Sequence, residues 1–207
     1  MDIDLTEMSP GQIYATMTQA LIPRPIAWVL SENENGNYNL APFSYFTGIS
    51  SRPPLLMLSI GKKPDGAPKD TLANIEARKD FVVHIAHGEQ MGYLNQSSAV
   101  YDAGVSEVDE LGLELAELKG SRLPRIADSR LAMACELHEI IPMGEVPQAL
   151  IFGRINSIYV DDAVGDSDAK GRFKINAKKL DPLSRLGVGE YSGFGEVMQL
   201  SSPKLDK

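Results

Sequence analysis

Three lysines lie close together in a loop before a predicted helix, and they form the strongest local arrangement for chemistry in the chain. Lys62, Lys63 and Lys69 fall in a segment rich in glycine and proline, and the helix begins near Asp70 or Thr71. A helix N-terminus presents unpaired backbone N–H groups and a partial positive charge, which suit a phosphate dianion. Lys69 would add a point charge, and Thr71 would add a hydroxyl donor. The alternative is an ordinary capped helix after a solvated lysine loop, because most helix starts bind no ligand.

The histidines and the cysteine give no comparable arrangement. His84 and His87 have an H-x-x-H spacing, but on a strand their side chains would point to opposite faces. No third ligand follows nearby, so we predict no metal site and expect His84 to be a half-buried strand residue. Cys135 lies on the apolar face of an alternating segment, which favours a buried structural thiol. We assign no catalytic side chain.

Composition restricts the class of protein and its partners. The chain has 207 residues and a net charge of −8, which argues against a nucleic-acid or anionic-membrane partner. A phosphorylated small ligand would need a locally positive pocket, and the lysine loop offers one. With a single cysteine, no basic and apolar leader, and no apolar run of about 20 residues, we expect a cytoplasmic protein without disulfides.

The elements that must position these residues are mostly strands. Apolar alternation and short apolar runs predict strands over residues 22–30, 55–60, 81–86, 131–137 and 149–160. Asn35-Gly36 supplies the positive φ of a tight hairpin turn, after which the chain returns through Tyr38 toward Phe46. Helices are predicted over residues 70–79 and 89–100. The run 55–60 is continuously apolar, which is typical of a strand buried on both faces. This order favours a mainly β fold, a β-barrel with covering helices, over a doubly wound sheet.

Several short blocks of the chain follow one another in a recognisable order. They are Pro23–Val29, Asn39–Phe46, Ser50 with Arg52–Pro54, Lys69–Thr71 with Asn74 and Ile75, Phe81–Val83, and Asp181–Gly187 with Glu190 and Tyr191. Together they span about residues 20–195 and resemble the flavin reductase-like, FMN-binding split-barrel family.

The resemblance implies a single split-barrel domain of the Greek-key type over residues 1–207. It also implies a homodimer in which each chain holds one FMN in a groove at or near the subunit interface. The implied flavin-binding residues are Asn39, Leu40, Ala41, Pro42 and Ser44 at the isoalloxazine, Ser59 beside the ribityl chain, Lys69 and Thr71 at the phosphate, Asp70 and Asn74 capping or orienting the helix, and Arg24 and Trp28 as further candidates.

Three functions are compatible with this resemblance. The first is an NADH- or NADPH-dependent FMN reductase, in which the cofactor carries the chemistry and supplies reduced flavin to an acceptor or a partner monooxygenase. The second is a non-enzymatic, flavoredoxin-like FMN protein that exchanges electrons with a redox partner. The third is a flavin- or haem-binding module with a sensing or storage role.

Overall fold

The computed structural model of the chain describes residues 1–145, 148–168, 170–200 and 203. The strands are β1 (Arg24–Pro25), β2 (Ala27–Glu32), β3 (Tyr38–Phe43), β4 (Phe46–Ser51), β5 (Pro54–Ile60), β6 (Asp80–His84), β7 (Leu115–Ala116), β8 (Arg125–Ile126), β9 (Leu131–Met143), β10 (Gln148–Val160), β11 (Gly165–Ser167), β12 (Phe173–Ile175), β13 (Ser184–Arg185) and β14 (Tyr191–Ser192). The α-helices are α1 (Pro10–Ala20), α2 (Asp70–Arg78), α3 (Met91–Gln96), α4 (Glu107–Glu110) and α5 (Ala177–Leu180), and 3-10 helices span Leu5–Glu7 and Gly88–Gln90.

Seven strands form one antiparallel sheet in the order β3-β2-β6-β9-β10-β5-β4. Three of its six neighbouring pairs, β2 with β6, β6 with β9 and β10 with β5, join strands that are not consecutive, as a Greek-key type requires. β3 and β4 stand at opposite ends of this order, yet only Ser44 and Tyr45 connect them. Because two residues span only a few ångströms, the sheet must curl until its ends meet. The result is a barrel with one unpaired seam, which confirms the predicted mainly β fold.

The core has two apolar clusters, one on each face of the strands at the centre of the sheet. Trp28 and Leu30 of β2 belong to one cluster, and Ala27 and Val29 belong to the other. This division follows from the two-residue period of a strand. β5 differs from its prediction, because Leu56, Leu58 and Ile60 are buried and the alternate residues are half-buried or exposed. One face of β5 therefore remains accessible, although its sequence is continuously apolar.

The helix boundaries show what the sequence missed. α2 begins at Asp70, so Lys69 is the N-cap rather than Asp70 or Thr71, and no side chain caps the helix. The helix predicted over residues 89–100 ends at Gln96, and a loop follows. α1 was not predicted, although Ser9 and Gln12 form a capping box that signals a helix start.

The hairpin prediction is confirmed. Gly36 has a φ of 86° and lies in the turn between β2 and β3, where a residue with a side chain would be strained.

Among the described residues, no helix is both long and apolar enough to cross a membrane.

Candidate functional site

A groove runs along the seam of the barrel and consists of two adjoining cavities. The first has a volume of about 360 Å³ and the second about 530 Å³. Residues that line both cavities are Pro42, Lys62, Lys63, Lys69 and Ser98. The first cavity extends to the start of α2, and the second extends to β13 and β14 near the C-terminal part of the fold. The groove is continuous, so an elongated ligand could occupy both halves.

The α2 end of the groove is suited to an anion. The N-terminus of α2 opens onto the first cavity through Asp70 and Thr71, and Lys69 stands beside them. Burial, and then the neighbouring Lys63, lowers the pKa of the Lys69 ammonium. An anion placed there would offset both effects. Lys63 is paired with Asp70 at 2.9 Å, which leaves Lys69 as the cation nearest the helix start without a carboxylate partner among the described residues.

A buried amide network holds the Thr71 hydroxyl in place. Asn39 Nδ2 donates to Thr71 Oγ1 at 2.9 Å and to Ser31 Oγ at 3.2 Å. Asn74 Nδ2 donates to the same Ser31 hydroxyl and to Asn33 Oδ1 at 2.7 Å. Because the Thr71 oxygen already accepts a hydrogen bond from Asn39, its own proton is free to donate into the cavity. The network joins β2, β3 and α2 behind the site.

The structure brings most of the predicted site residues to the groove. Those that line it are Asn39, Ala41, Pro42, Ser44, Ser59, Lys69, Asp70 and Thr71. The other four predicted residues, which are Arg24, Trp28, Leu40 and Asn74, are buried behind it and line neither cavity. Only Asn74 among these four orients the α2 start through side-chain hydrogen bonds.

Arg24 and Trp28 act in packing and support. The Arg24 guanidinium donates to the carbonyl oxygens of Thr18, Leu21 and Leu186, and its Nε donates to Ser44 Oγ at 3.3 Å. Trp28 Nε1 donates to Ser97 Oγ at 2.9 Å within the core. Trp28 therefore supports the groove wall through Ser97. Arg24 supports it through Ser44 and through the Tyr45 ring, whose centroid lies 5.9 Å from the guanidinium carbon.

Several groove residues were missed by the sequence analysis. They are Glu107, the loop residues Ser98, Ala99, Val100 and Tyr101, and the second-cavity residues Tyr14, Gln148, Arg185 and Tyr191. They are far apart in the sequence, because they come from α1, the loop after α3, α4, β10, β13 and β14, so no local pattern groups them. Arg185 and Tyr191 lie in the C-terminal block noted above, and their stacking at 4.4 Å from guanidinium to ring centroid could not be inferred from spacing.

The second cavity is cationic in an acidic protein. The chain carries a net charge of −8, yet none of the described residues lining this cavity is acidic, whereas Lys62, Lys63, Lys69 and Arg185 are present. The Tyr45 ring also lines it, and the buried Tyr45 hydroxyl has no hydrogen-bond partner among the described residues. A buried polar atom without a partner favours a bound ligand at this position.

His84 and Cys135 are structural, and His84 is more buried than predicted. His84 is fully buried, with Nδ1 at 3.0 Å from the Trp28 carbonyl and Nε2 accepting from the Ile126 N–H at 3.1 Å. No group of three potential metal ligands occurs among the described residues. Cys135 is buried, and burial raises the pKa of its thiol, so it behaves as a packing residue.

Two buried groups give stability opposite dependences on pH. Burial lowers the pKa of His84 from 6.5 to about 4, because the folded protein favours the neutral ring. The contribution of His84 to the free energy of unfolding is therefore complete above pH 6.5 and is lost as the pH falls through 4. Burial raises the pKa of Glu107 from 4.5 to about 6, so its contribution is complete below pH 4.5 and is lost as the pH rises through 6.

We expect these two contributions to cancel in the apoprotein between pH 4.5 and 6. Replacing Glu107 with Gln removes one of them, so the free energy of unfolding should rise with pH by about 2 kcal/mol more than in the wild type over this interval. Urea denaturation at several pH values measures the difference. Parallel pH profiles for the two proteins would contradict the assignment.

The groove fits a flavin mononucleotide. The α2 start with Lys69 and Thr71 suits a phosphate, and Ala41 and Pro42 present a half-buried apolar surface between the two cavities. The unpartnered Tyr45 hydroxyl and the cationic second cavity provide groups for a polar, electron-accepting ring. An antiparallel barrel split at one seam, with this groove along the seam, defines the class of flavin-binding split barrels.

The chain belongs to the flavin reductase-like family, whose sequence model, described as flavin reductase like domain, matches residues 18–176. The structure of nitrilotriacetate monooxygenase component B from Bacillus cereus is similar, with 32% identity, a TM-score of 0.87, and coverage of 97% of this chain and 98% of that chain. The 2-nitrobenzoate 2-nitroreductase NbaA of Pseudomonas fluorescens has 28% identity and a TM-score of 0.86, with 98% and 96% coverage. Flavoredoxin of Desulfovibrio vulgaris shares the fold at 19% identity and a TM-score of 0.75, with 97% of each chain covered. These matches confirm the predicted split barrel.

Proposed function

We propose that the chain is an FMN-dependent oxidoreductase, specifically an NADH- or NADPH-dependent flavin reductase that supplies reduced flavin to an acceptor or a partner monooxygenase. The observation that carries the proposal is the groove at the barrel seam, which joins an anion-binding helix start to a cationic cavity with aromatic walls. The similarity to a monooxygenase component supports the class of partner. Bound FMN would supply the electron transfer between nucleotide and acceptor.

The protein's own part is binding and orientation. Lys69 and the α2 N–H groups would hold the phosphate, and the Asn39 amide would keep the Thr71 hydroxyl turned toward it. Ala41 and Pro42 would support the ring, and Ser59 would face the ribityl chain from β5. The cationic second cavity would favour anionic character on the bound ring. No side chain is required as a general acid or base.

Oxidation of NADH or NADPH by the purified protein with added FMN tests the reductase proposal. We expect absorbance at the nicotinamide band to fall only when protein, FMN and one of the two nucleotides are all present. If neither nucleotide is oxidised while a reduced redox partner transfers electrons to the bound flavin, the protein is an electron-transfer flavoprotein instead. A haem Soret band in the purified protein would contradict both functions.

A homodimer is part of the proposal, and the exposed surface supports it. Only Thr18 of α1 is buried, whereas Tyr14 and Met17 on the same helix are exposed. β4 is an edge strand whose residues after Phe46 are exposed, including Ile49. Exposed apolar side chains and an open sheet edge are both typical of surfaces that pair with another chain. Light scattering should give twice the chain mass of 22.5 kDa. We propose that this dimer is cytoplasmic.

A further inference from the structure

A buried carboxylate in the wall of the first cavity has no role in the proposed function. Glu107 lies on α4 and is 5% exposed. Its Oε2 accepts a hydrogen bond from the Leu40 N–H at 2.8 Å. No side-chain donor among the described residues bonds to either carboxylate oxygen. An ionised carboxylate in this position is therefore poorly compensated.

The hydrogen bond from Leu40 connects Glu107 to the block Asn39–Phe46, which was predicted to contact the flavin. Leu40 lies on β3, the end strand of the sheet, between Asn39 and Ala41, which line the same cavity as Glu107. The carboxylate satisfies a backbone donor that no strand on that side pairs with. Glu107 thus joins the ligand-facing wall to α4 through one hydrogen bond.

The charges around Glu107 do not neutralise it. Burial is the largest cause of its raised pKa of about 6. The backbone N–H groups of Leu40 and of Glu107 itself lower the pKa, Asp70 raises it, and Lys63 lowers it. Lys63 is already paired with Asp70 at 2.9 Å. The other titratable groups near it are Lys62, Lys69 and Tyr101 around the cavity, Tyr38 on β3, and Asp109 and Glu110 on α4 itself.

We propose that Glu107 takes up a proton from solvent when FMN binds, so that the phosphate meets a neutral carboxylic acid rather than a second anion. The inference rests on the proposed function, because it requires FMN in the first cavity. A phosphate dianion at Lys69 and Thr71 would share this partly desolvated space with Glu107, and two anions there repel each other. Once protonated, the carboxyl group can also donate a hydrogen bond into the cavity.

The expected result is an FMN affinity that falls as the pH rises. Above pH 6 the free protein has lost the Glu107 proton that the FMN complex retains, so the dissociation constant should increase up to about 10-fold per pH unit. Fluorescence titration from pH 6 to 8 measures it. Calorimetry in two buffers of different ionisation enthalpy should show uptake of roughly half a proton to one proton per FMN at pH 7.

Glu107→Gln and Glu110→Gln form the matched pair of variants. The amide oxygen introduced by Glu107→Gln can still accept from Leu40, so this variant should bind FMN with less pH dependence and with proton uptake lowered by at least about half. Glu110 is exposed on the same helix, and its variant should behave as the wild type. Titration of Lys69 and of the FMN phosphate is common to all three proteins. The difference in proton uptake between the wild type and Glu107→Gln therefore measures the proton that Glu107 takes up.

Equal pH dependence and equal proton uptake in the wild type and Glu107→Gln would overturn the inference. If Glu107→Gln fails to fold, infrared difference spectroscopy of the wild type decides, because the band of a protonated carboxylic acid should appear when FMN binds at pH 7. Absence of that band, or a proton uptake near zero, contradicts the proposal. Absence of FMN binding at every pH would instead remove the proposed function on which the inference rests.

Discussion

Replacing Lys69 with Met and Thr71 with Val together weakens FMN binding by roughly 1,000-fold, or about 4 kcal/mol. Lys69 is the cation beside the α2 start without a carboxylate partner among the described residues, and the Thr71 hydroxyl has a free proton because its oxygen accepts from Asn39. Each charge-assisted contact with a phosphate contributes about 1.5–3 kcal/mol. Quenching of FMN fluorescence on titration with protein measures the dissociation constant.

Lys79→Met is the matched control for this experiment. Lys79 follows the opposite end of the same helix and does not line the groove, so its replacement changes the net charge equally without reaching the ligand. We expect its FMN affinity to stay within about threefold of the wild type. Thr71→Val also removes one hydrogen-bond acceptor of the Asn39 amide. Urea denaturation should therefore accompany the titration, to show that the double variant is folded. An unchanged affinity in a folded double variant would place the phosphate elsewhere.

Replacing Arg24 with Met lowers the free energy of unfolding by about 3 kcal/mol. The buried guanidinium donates to the carbonyl oxygens of Thr18 and Leu21 at the end of α1 and to that of Leu186 beyond β13. It therefore connects the N-terminal helix and the C-terminal segment to the barrel. Methionine fills a similar volume but leaves three carbonyl groups without this donor. Chemical denaturation of the apoprotein measures the loss.

Arg154→Met serves as the control for Arg24. Arg154 is exposed on β10, so its replacement should change the free energy of unfolding by no more than about 0.5 kcal/mol. The FMN affinity of the Arg24 variant also shows whether Arg24 supports the groove wall or contacts the flavin directly. Since Arg24 reaches the groove through Ser44 and the Tyr45 ring and does not line it, the folded variant should retain FMN affinity within about 10-fold. A far larger loss of affinity with unchanged stability would make Arg24 a direct flavin ligand.

Local patterns were sufficient for much of the fold. Residue alternation located β9 and β10, and Asn35-Gly36 located the turn between β2 and β3. The run 55–60 shows the limit of such patterns. Its apolar residues fit a strand with two buried faces, yet one face of β5 stays accessible, because hydrophobic content does not specify what packs against it.

The candidate site was also only partly predictable from the sequence. The lysine loop and the helix after it were recognisable because the groups proposed to bind phosphate are neighbours in the chain. The ordered blocks from Pro23 to Tyr191 were sufficient to suggest the family. The buried state of Glu107 and the stacking of Arg185 on Tyr191 were not predicted. Both depend on contacts between residues that are not neighbours in the chain, which no local period records.

By itself, the sequence determined the mainly β class, the acidic character, and the cluster of lysines before the start of α2, because these depend on residue type and short spacing. Only the tertiary structure decided where the ligand could lie. Ser44 and Tyr45 join the two end strands of the sheet, and this short connection closes the barrel and creates the seam. Closure brings the half-buried Lys69 and Arg185 and the buried Glu107 to one groove, so a ligand there meets charged groups from distant parts of the chain.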